Sequence, residues 1–167
     1  MNKIMIIGSG GAGKSTLARQ ISEKLNIPVH HLDVYLWKPN WVMTTREEQI
    51  KIQNELVQNE AWIIDGNYDG TMEIRLQEAD TIIFLDVPRQ ICLYRAFKRM
   101  IKYRDGSRPD MQEGNKEKFD FVFYRWIWNF PKKKRPALLQ RLNQLAVEKE
   151  VLVLHTSKEV DQFLTEL

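Results

Sequence analysis

Cysteine is nearly absent: Cys92 is the single one among 167 residues. An intrachain disulfide is excluded, and no group of cysteines and histidines has the spacing of zinc ligands. Cys92 falls in an apolar-rich helical stretch, so buried packing is expected for it. Long hydrophobic runs are missing as well. The stretch at residues 4–7 is shorter than the core of a secretory signal, and nothing approaches the ~20 residues that span a bilayer. A soluble, cytosolic chain is expected. There is no low-complexity tract and no internal repeat. Charge of one sign is not in bulk excess either, with a net charge of +3 and a pI of about 8.9. That is too mild to mark a dedicated nucleic-acid binder, so the distribution of the cations decides more than their sum. The remainder is ordinary for a globular chain, 43% hydrophobic and 28% charged. One domain of this length buries ~70% of its unfolded surface.

The apolar runs that do occur are short and alternate with helical patterns. Residues 3–7, 29–33, 61–65, 81–87 and 151–155 read as strands. Residues 14–25 form a helix with Leu17, Ile21 and Leu25 on one face, stopped at Asn26-Ile27-Pro28. YLWKPNW reads as irregular. Thr44 or Thr45 then caps a helix to about residue 59, with Ile50, Leu56 and Val57 as core candidates. This alternation means a parallel sheet covered by helices on both faces, an α/β domain over residues 1–167. His30 and His31 are adjacent in a strand and point to opposite faces, which suits packing better than chelation of one ion.

GSGGAGKST, residues 8–16, fits two phosphate-binding patterns. As G-x-G-x-x-G it uses Gly8, Gly10 and Gly13, and Asp33 follows Gly13 by twenty residues, where an acid would hold a ribose. As G-x-x-x-x-G-K-[ST] it is a P-loop. Lys14-Ser15-Thr16 decides for the P-loop, because a dinucleotide-binding helix needs neither a cation nor a magnesium ligand there. The backbone N–H groups of Gly8, Ser9, Gly10, Gly11, Ala12 and Gly13, continuing into Lys14, Ser15 and Thr16, would cradle phosphates. Lys14 would reach the β- and γ-oxygens, and Ser15 would bind Mg²⁺. NKEK at Asn115 fails as a guanine-reading motif, since Lys118 stands where an Asp is required and no strand precedes it. ATP is therefore the expected nucleotide.

No acid lies between Asp86 and Asp105, whereas Arg89, Arg95, Lys98, Arg99, Lys102 and Arg104 all do. On a helix Arg95, Arg99 and Lys102 share a face. Cations so placed beside a phosphate loop are best explained by phosphate, the alternative being a solvated basic stripe. Here the sequence resembles the adenylate-kinase-like P-loop kinases, a superfamily that includes nucleoside monophosphate and shikimate kinases. Asp65-Gly66 is similar to that family's Asp-Gly beside the acceptor, RAFKR to its R-x-x-x-R before the lid, and Arg108-Pro-Asp110 to its R-x-D on the lid's return. HLDVYLWKPNW, WIIDGNY, ADTIIFLD, RPDM and FVFYRWIWNF resemble more closely one subgroup, the DNA topology modulation proteins. The resemblance implies a three-layer sandwich with strand order 2-3-1-4-5. It also implies an acceptor-side insertion at about residues 34–60 and a short lid at about 104–114. Arg95 would stack on adenine, while Arg99 and Arg108 would clamp the transferring phosphate. The family's Arg after Asp-Gly is missing, however: Asn67-Tyr68 follows, and the next arginine is Arg75. Arg46 is the substitute from the acceptor-side helix, and AMP as acceptor is put in doubt.

These residues imply an ATP- and Mg²⁺-dependent phosphotransferase acting on a small nucleotide-like or hydroxylated acceptor. Lys14, Asp33, Arg99 and Arg108 are its catalytic candidates. Asp65 either holds a magnesium-bound water with Ser15 or caps the turn at Gly66. Asp33 orients an acceptor hydroxyl or acts as its base. Trp37 faces the acceptor together with Gly66 and Asn67, and Trp37 and Trp41 either stack on a ligand or rigidify their loop. Phe119, Phe123, Trp126 and Phe130 recur at helical spacing, which favours packing. Aromatics interleaved with cations, closing on Lys132–Arg135, also describe a single-strand platform. The alternative reading is therefore an ATP-regulated DNA-binding protein.

Overall fold

The computed structural model describes residues 1–104, 106 and 108–167. Five parallel strands form its centre: β1 (Lys3–Gly8), β2 (Val29–His31), β5 (Trp62–Asp65), β6 (Thr81–Leu85) and β7 (Glu150–Leu154). They lie in the order β2-β5-β1-β6-β7, which is the expected 2-3-1-4-5 when only the strands of this sheet are counted. Between β2 and β5 a separate two-stranded hairpin is built from β3 (Trp37–Lys38) and β4 (Val42–Met43).

The strands alternate faces, and both faces are apolar because both are covered. Ile4, Ile6, Ile63, Ile83 and Leu85 point into one core with Leu17 and Ile21 of α1 (Lys14–Leu25), Cys92 of α5 (Arg89–Lys102) and Leu164 of α8 (Ser157–Glu166). Met5, Ile7, Trp62, Ile64, Ile82 and Phe84 point into the other. There they meet α2 (Leu32–Leu36), α3 (Arg46–Val57), α4 (Met72–Glu78) and α7 (Arg135–Leu145). α6 (Phe121–Lys133) reaches both cores, Ile127 entering the first and Phe130 the second. Leu56 and Val57 are buried as expected, whereas Ile50 is only half-buried. Thr45 is the cap of α3, its hydroxyl accepting from Glu48 N while the Glu48 side chain accepts from Thr45 N.

Three expectations are corrected. β2 ends at His31, so Asp33 stands in the first turn of α2 rather than at a strand end. YLWKPNW is not irregular, because it closes α2 and forms most of the β3–β4 hairpin around the turn Pro39–Trp41. Phe119 precedes α6 and is exposed, stacked on Tyr124, so the packed face is Phe123, Trp126, Ile127 and Phe130.

The sheet edge offers a test of pH dependence. The Asp80 carboxylate accepts Asn2 N at 2.8 Å, Lys3 N at 3.0 Å and Thr81 Oγ1 at 2.7 Å. Burial works to raise its pKa, but these donors hold it below the ordinary aspartate value. A carboxylate lowered in the folded state stabilises fully above its unfolded pKa of about 4, and this is lost as pH falls through the folded value. Asp80→Ala should cost about 1 kcal/mol near neutral pH, allowing for solvent screening. Denaturant titrations of the two proteins should converge in acid; an undiminished gap at about pH 2.5 would remove the carboxylate from the explanation.

Candidate active site

β1 ends at Gly8 and the chain wraps over residues 9–13 into α1. Gly11 has φ +77°, and a Cβ there would stand 2.2 Å from Cys92 O, so α5 packs directly on the loop. Gly13, at φ 104°, is the N-cap of α1 and offers no side chain, which leaves the first-turn N–H groups to an anion. Lys14 Nζ donates to Gly8 O and Ser9 O, both at 3.0 Å, and so spans the loop. Burial pushes its ammonium below the ordinary value, opposed by Asp65 and Asp33. Asn67 locks the loop's start to the end of β5: its Oδ1 accepts Gly8 N at 3.1 Å and its Nδ2 donates to Gly8 O at 2.8 Å.

Asp65 is 4% exposed and accepts from Ser15 Oγ at 2.8 Å. Its other oxygen meets His31 Nδ1 at 2.7 Å. Burial works to lower the His31 pKa, yet the bond and attraction to Asp65 outweigh it, and the imidazole is raised. Asp110 lies close by. Burial opposes its charge, but Arg108 and the Ser15 hydroxyl hold its pKa below the ordinary range. Hard oxygen donors converging beside a phosphate cradle are the donor set that Mg²⁺ takes. Ser15 and Asp65 fit that ion.

Across the cleft, Asp33 Oδ1 accepts from the Tyr68 hydroxyl at 2.5 Å, and Oδ2 lies 3.4 Å from Arg108 Nη2. Burial, then Asp33, pushes the Tyr68 phenol upward, so it remains a donor. Arg108 is nearly buried, with Glu117 Oε1 2.8 Å from Nη1 and Asp110 Oδ1 3.4 Å from Nε. The same Glu117 oxygen lies 3.3 Å from Arg99 Nε. Burial, and next the repulsion of Arg108, pull the Arg99 guanidinium below its ordinary value.

One cleft of about 910 Å³ therefore holds Gly10, Gly11, Gly13, Lys14, Ser15, Thr16, Asp33, Trp37, Asp65, Gly66, Asn67, Arg95, Arg99 and Arg108. Trp37 and Trp41 pack edge-to-face at 5.7 Å on its wall. Arg95 donates to Ala12 O at 3.3 Å and to Ser157 Oγ at 3.1 Å, beside the loop. Arg46 is not brought in: it donates to Gly70 O at 2.7 Å and does not line the cleft. Arg75 turns inward, to the carbonyls of Gly66 and Asn67. The lid region as a whole includes residues 105 and 107, which lie outside the described residues. Sequence reasoning passed over four site residues: His31, Tyr68, Asp110 and Glu117. Tyr68 follows directly on Asp65-Gly66-Asn67 and Asp110 belongs to R-x-D, so both had a signal; Glu117 had none.

Fold and site together define a P-loop nucleotide-binding protein with the three-layer architecture of P-loop kinases. The NB-ARC domain family matches residues 1–91, more than half of the chain, and the chain belongs to that family of P-loop NTPase domains. The match covers the P-loop, Asp33 and Asp65 but ends before Arg95. No curated protein matches the sequence. Among solved structures, shikimate kinase from Bacteroides thetaiotaomicron is similar at TM-score 0.56 and 21% identity, covering 98% of this chain and 94% of that one. Shikimate kinase from Acinetobacter baumannii, in complex with shikimate, gives 0.60 and 15%, covering 99% and 90%. Deoxyadenosine kinase from M.mycoides gives 0.52 and 15%, covering 98% and 96%. These likenesses establish the fold. Among the described residues no helix is long and apolar enough to cross a membrane.

Proposed function

We propose that the chain is a phosphotransferase that moves the γ-phosphate of ATP to a hydroxyl of a small nucleotide-like or hydroxylated acceptor. The observation that carries this is the second half of the cleft: Asp33, held by Tyr68 and Arg108, lines the same cleft as the P-loop and Arg99. A protein that only bound a nucleotide would need none of these. The P-loop and Lys14 hold the triphosphate, and Ser15 and Asp65 would hold a Mg²⁺ that would supply charge neutralisation. Asp33 orients the acceptor hydroxyl and accepts its proton, while Arg99 and Arg108 neutralise the transferring group. Trp37, Gly66 and Trp41 shape the acceptor's seat. Incubation with γ-labelled ATP and a panel of hydroxylated metabolites, scored for transfer above hydrolysis, tests the reading directly.

The donor side has its own expected outcome. ATP·Mg²⁺ should raise the melting temperature by mass action, and Lys14→Ala should lose most of that shift. Stabilisation by NAD in place of ATP would instead favour the dinucleotide reading of the loop.

A second reading, an ATP-regulated DNA-binding protein, is favoured by the exposed Phe119, Phe121 and Trp128, the last carrying Arg89 over its ring at 3.7 Å. It accords with the resemblance to the DNA topology modulation proteins. Against it, half of the basic run is compensated: Lys134 pairs with Asp69 and Arg135 with Asp86. Binding of single-stranded DNA at physiological salt should therefore be weak. Tight, steeply salt-dependent binding lost in a Lys132→Ala, Lys133→Ala double variant would promote this second reading.

A further inference from the structure

We infer that Glu117 is an internal counter-ion of the Arg99–Arg108 pair, held in place by the acceptor hairpin, and that it withholds the pair from ATP until an acceptor arrives. The inference rests on the phosphotransferase reading above and concerns the regulation of the same cleft.

Two guanidinium groups beside each other repel, and Glu117 is the anion between them, only 9% exposed. Its grip is electrostatic rather than directional. Among the described residues Arg99 Nε and Glu117 Oε1 are buried and make no well-aligned hydrogen bond, although Glu117 Oε1 lies 3.3 Å from Arg99 Nε and 2.8 Å from Arg108 Nη1. A poorly aligned contact leaves room for a better acceptor, and phosphate oxygens carry more charge than one carboxylate. While Glu117 stays, it both occupies the arginines and repels the γ-phosphate.

What holds Glu117 is the segment just before it. Asn115, fully buried, accepts Trp41 N on its Oδ1 at 2.7 Å, and Trp41 Nε1 donates to Lys116 O at 3.0 Å. Trp41 belongs to the turn of the β3–β4 hairpin and stands on the cleft wall with Trp37. Asn40 and Trp41 are both left-handed, at φ 63° and 58°, which is strained for a bulky side chain. An acceptor seated against the tryptophans bears on this turn, and the turn bears on residues 115–117. The reaction suppressed without an acceptor is hydrolysis: water attacks the γ-phosphorus, the bond to the β–γ bridging oxygen breaks, and ADP, phosphate and a proton leave.

The test is Glu117→Gln, which keeps the shape and removes the charge. ATP·Mg²⁺ alone is the probe, with hydrolysis measured in the absence of any acceptor and affinity measured with a non-hydrolysable ATP analogue. Hydrolysis should rise about tenfold and the analogue should bind more tightly, as expected for relief of a like-charge contact inside a protein. Asn115→Ala, which cuts the tie to Trp41, should move hydrolysis in the same direction. Should Glu117→Gln fail to fold, Glu117→Asp carries the test, since it withdraws the carboxylate by one methylene and should also raise hydrolysis. Unchanged or slower hydrolysis in folded variants that still bind ATP overturns the inference and spares the phosphotransferase reading. Failure of the wild type to bind ATP·Mg²⁺ overturns both.

Discussion

Arg99→Ala should lower kcat by about 10³-fold while ATP affinity stays within several-fold. Arg99 projects from α5 into the cleft, and its nearest anion is Glu117, not any group of the P-loop. On the proposed reading, the loop N–H groups and Lys14 would satisfy the β- and γ-oxygens in the nucleotide-bound ground state. An arginine engaged chiefly as the phosphoryl group moves toward the acceptor lowers the barrier without tightening binding. Arg95 differs, because it already touches the loop through Ala12 O. Arg95→Ala should therefore mainly weaken ATP binding. Asp33→Asn should slow transfer with ATP binding intact, since its bonds run to Tyr68 and Arg108 on the acceptor side. Steady-state kinetics with titrations of an ATP analogue separate these cases. If Arg99→Ala raised the ATP Kd as much as it lowered kcat, Arg99 would be a ground-state binder and its assigned role would be wrong.

The centre of the sheet was legible because its strands are buried on both faces, so residues 4–7, 62–64 and 82–85 appear as short unbroken apolar runs. The P-loop was legible for a related reason: its chemistry is local, with backbone N–H groups, a lysine and a hydroxyl inside one nine-residue stretch. The acceptor side was harder. β3 and β4 have two residues each and are defined by their pairing across Pro39–Trp41, which no periodicity reveals. Asp33 was picked out as a site residue, but the extended reading ran past His31 into the start of α2. Glu117 lies in a polar stretch before α6 and gains meaning only through Arg99 and Arg108, brought to it by the fold. Arg46 shows the reverse case. A cation on the acceptor-side helix looked like an anchor, yet α3 presents it to the Gly70 carbonyl.

Arg75 gives the largest expected effect on stability. It is fully buried, and its Nη1 and Nη2 donate to Gly66 O at 2.6 Å and Asn67 O at 2.5 Å. Burial pulls the guanidinium down to about 9, still charged at neutral pH. The turn it braces is a difficult one: Gly66 has φ 132°, and Tyr68 sits at φ 43°. Arg75→Met keeps the stem but leaves two buried carbonyls without donors. Each buried carbonyl left without a donor costs about 1–3 kcal/mol, so the two together, for a domain of this size, lower the melting temperature by roughly 10 °C. Arg75→Lys should recover only part of it, because an ammonium is a single point charge without the planar fork whose two nitrogens reach Gly66 O and Asn67 O separately. The consequence extends to function. Asn67 clamps Gly8, and Tyr68 fixes Asp33, so a loosened turn releases the P-loop's start and the Asp33 carboxylate together. In thermal melts with and without ATP·Mg²⁺, Arg75→Met should therefore show both a lower baseline and a smaller nucleotide-induced shift. A full nucleotide shift on a lowered baseline would confine Arg75 to stability, and an unchanged baseline would remove it from both.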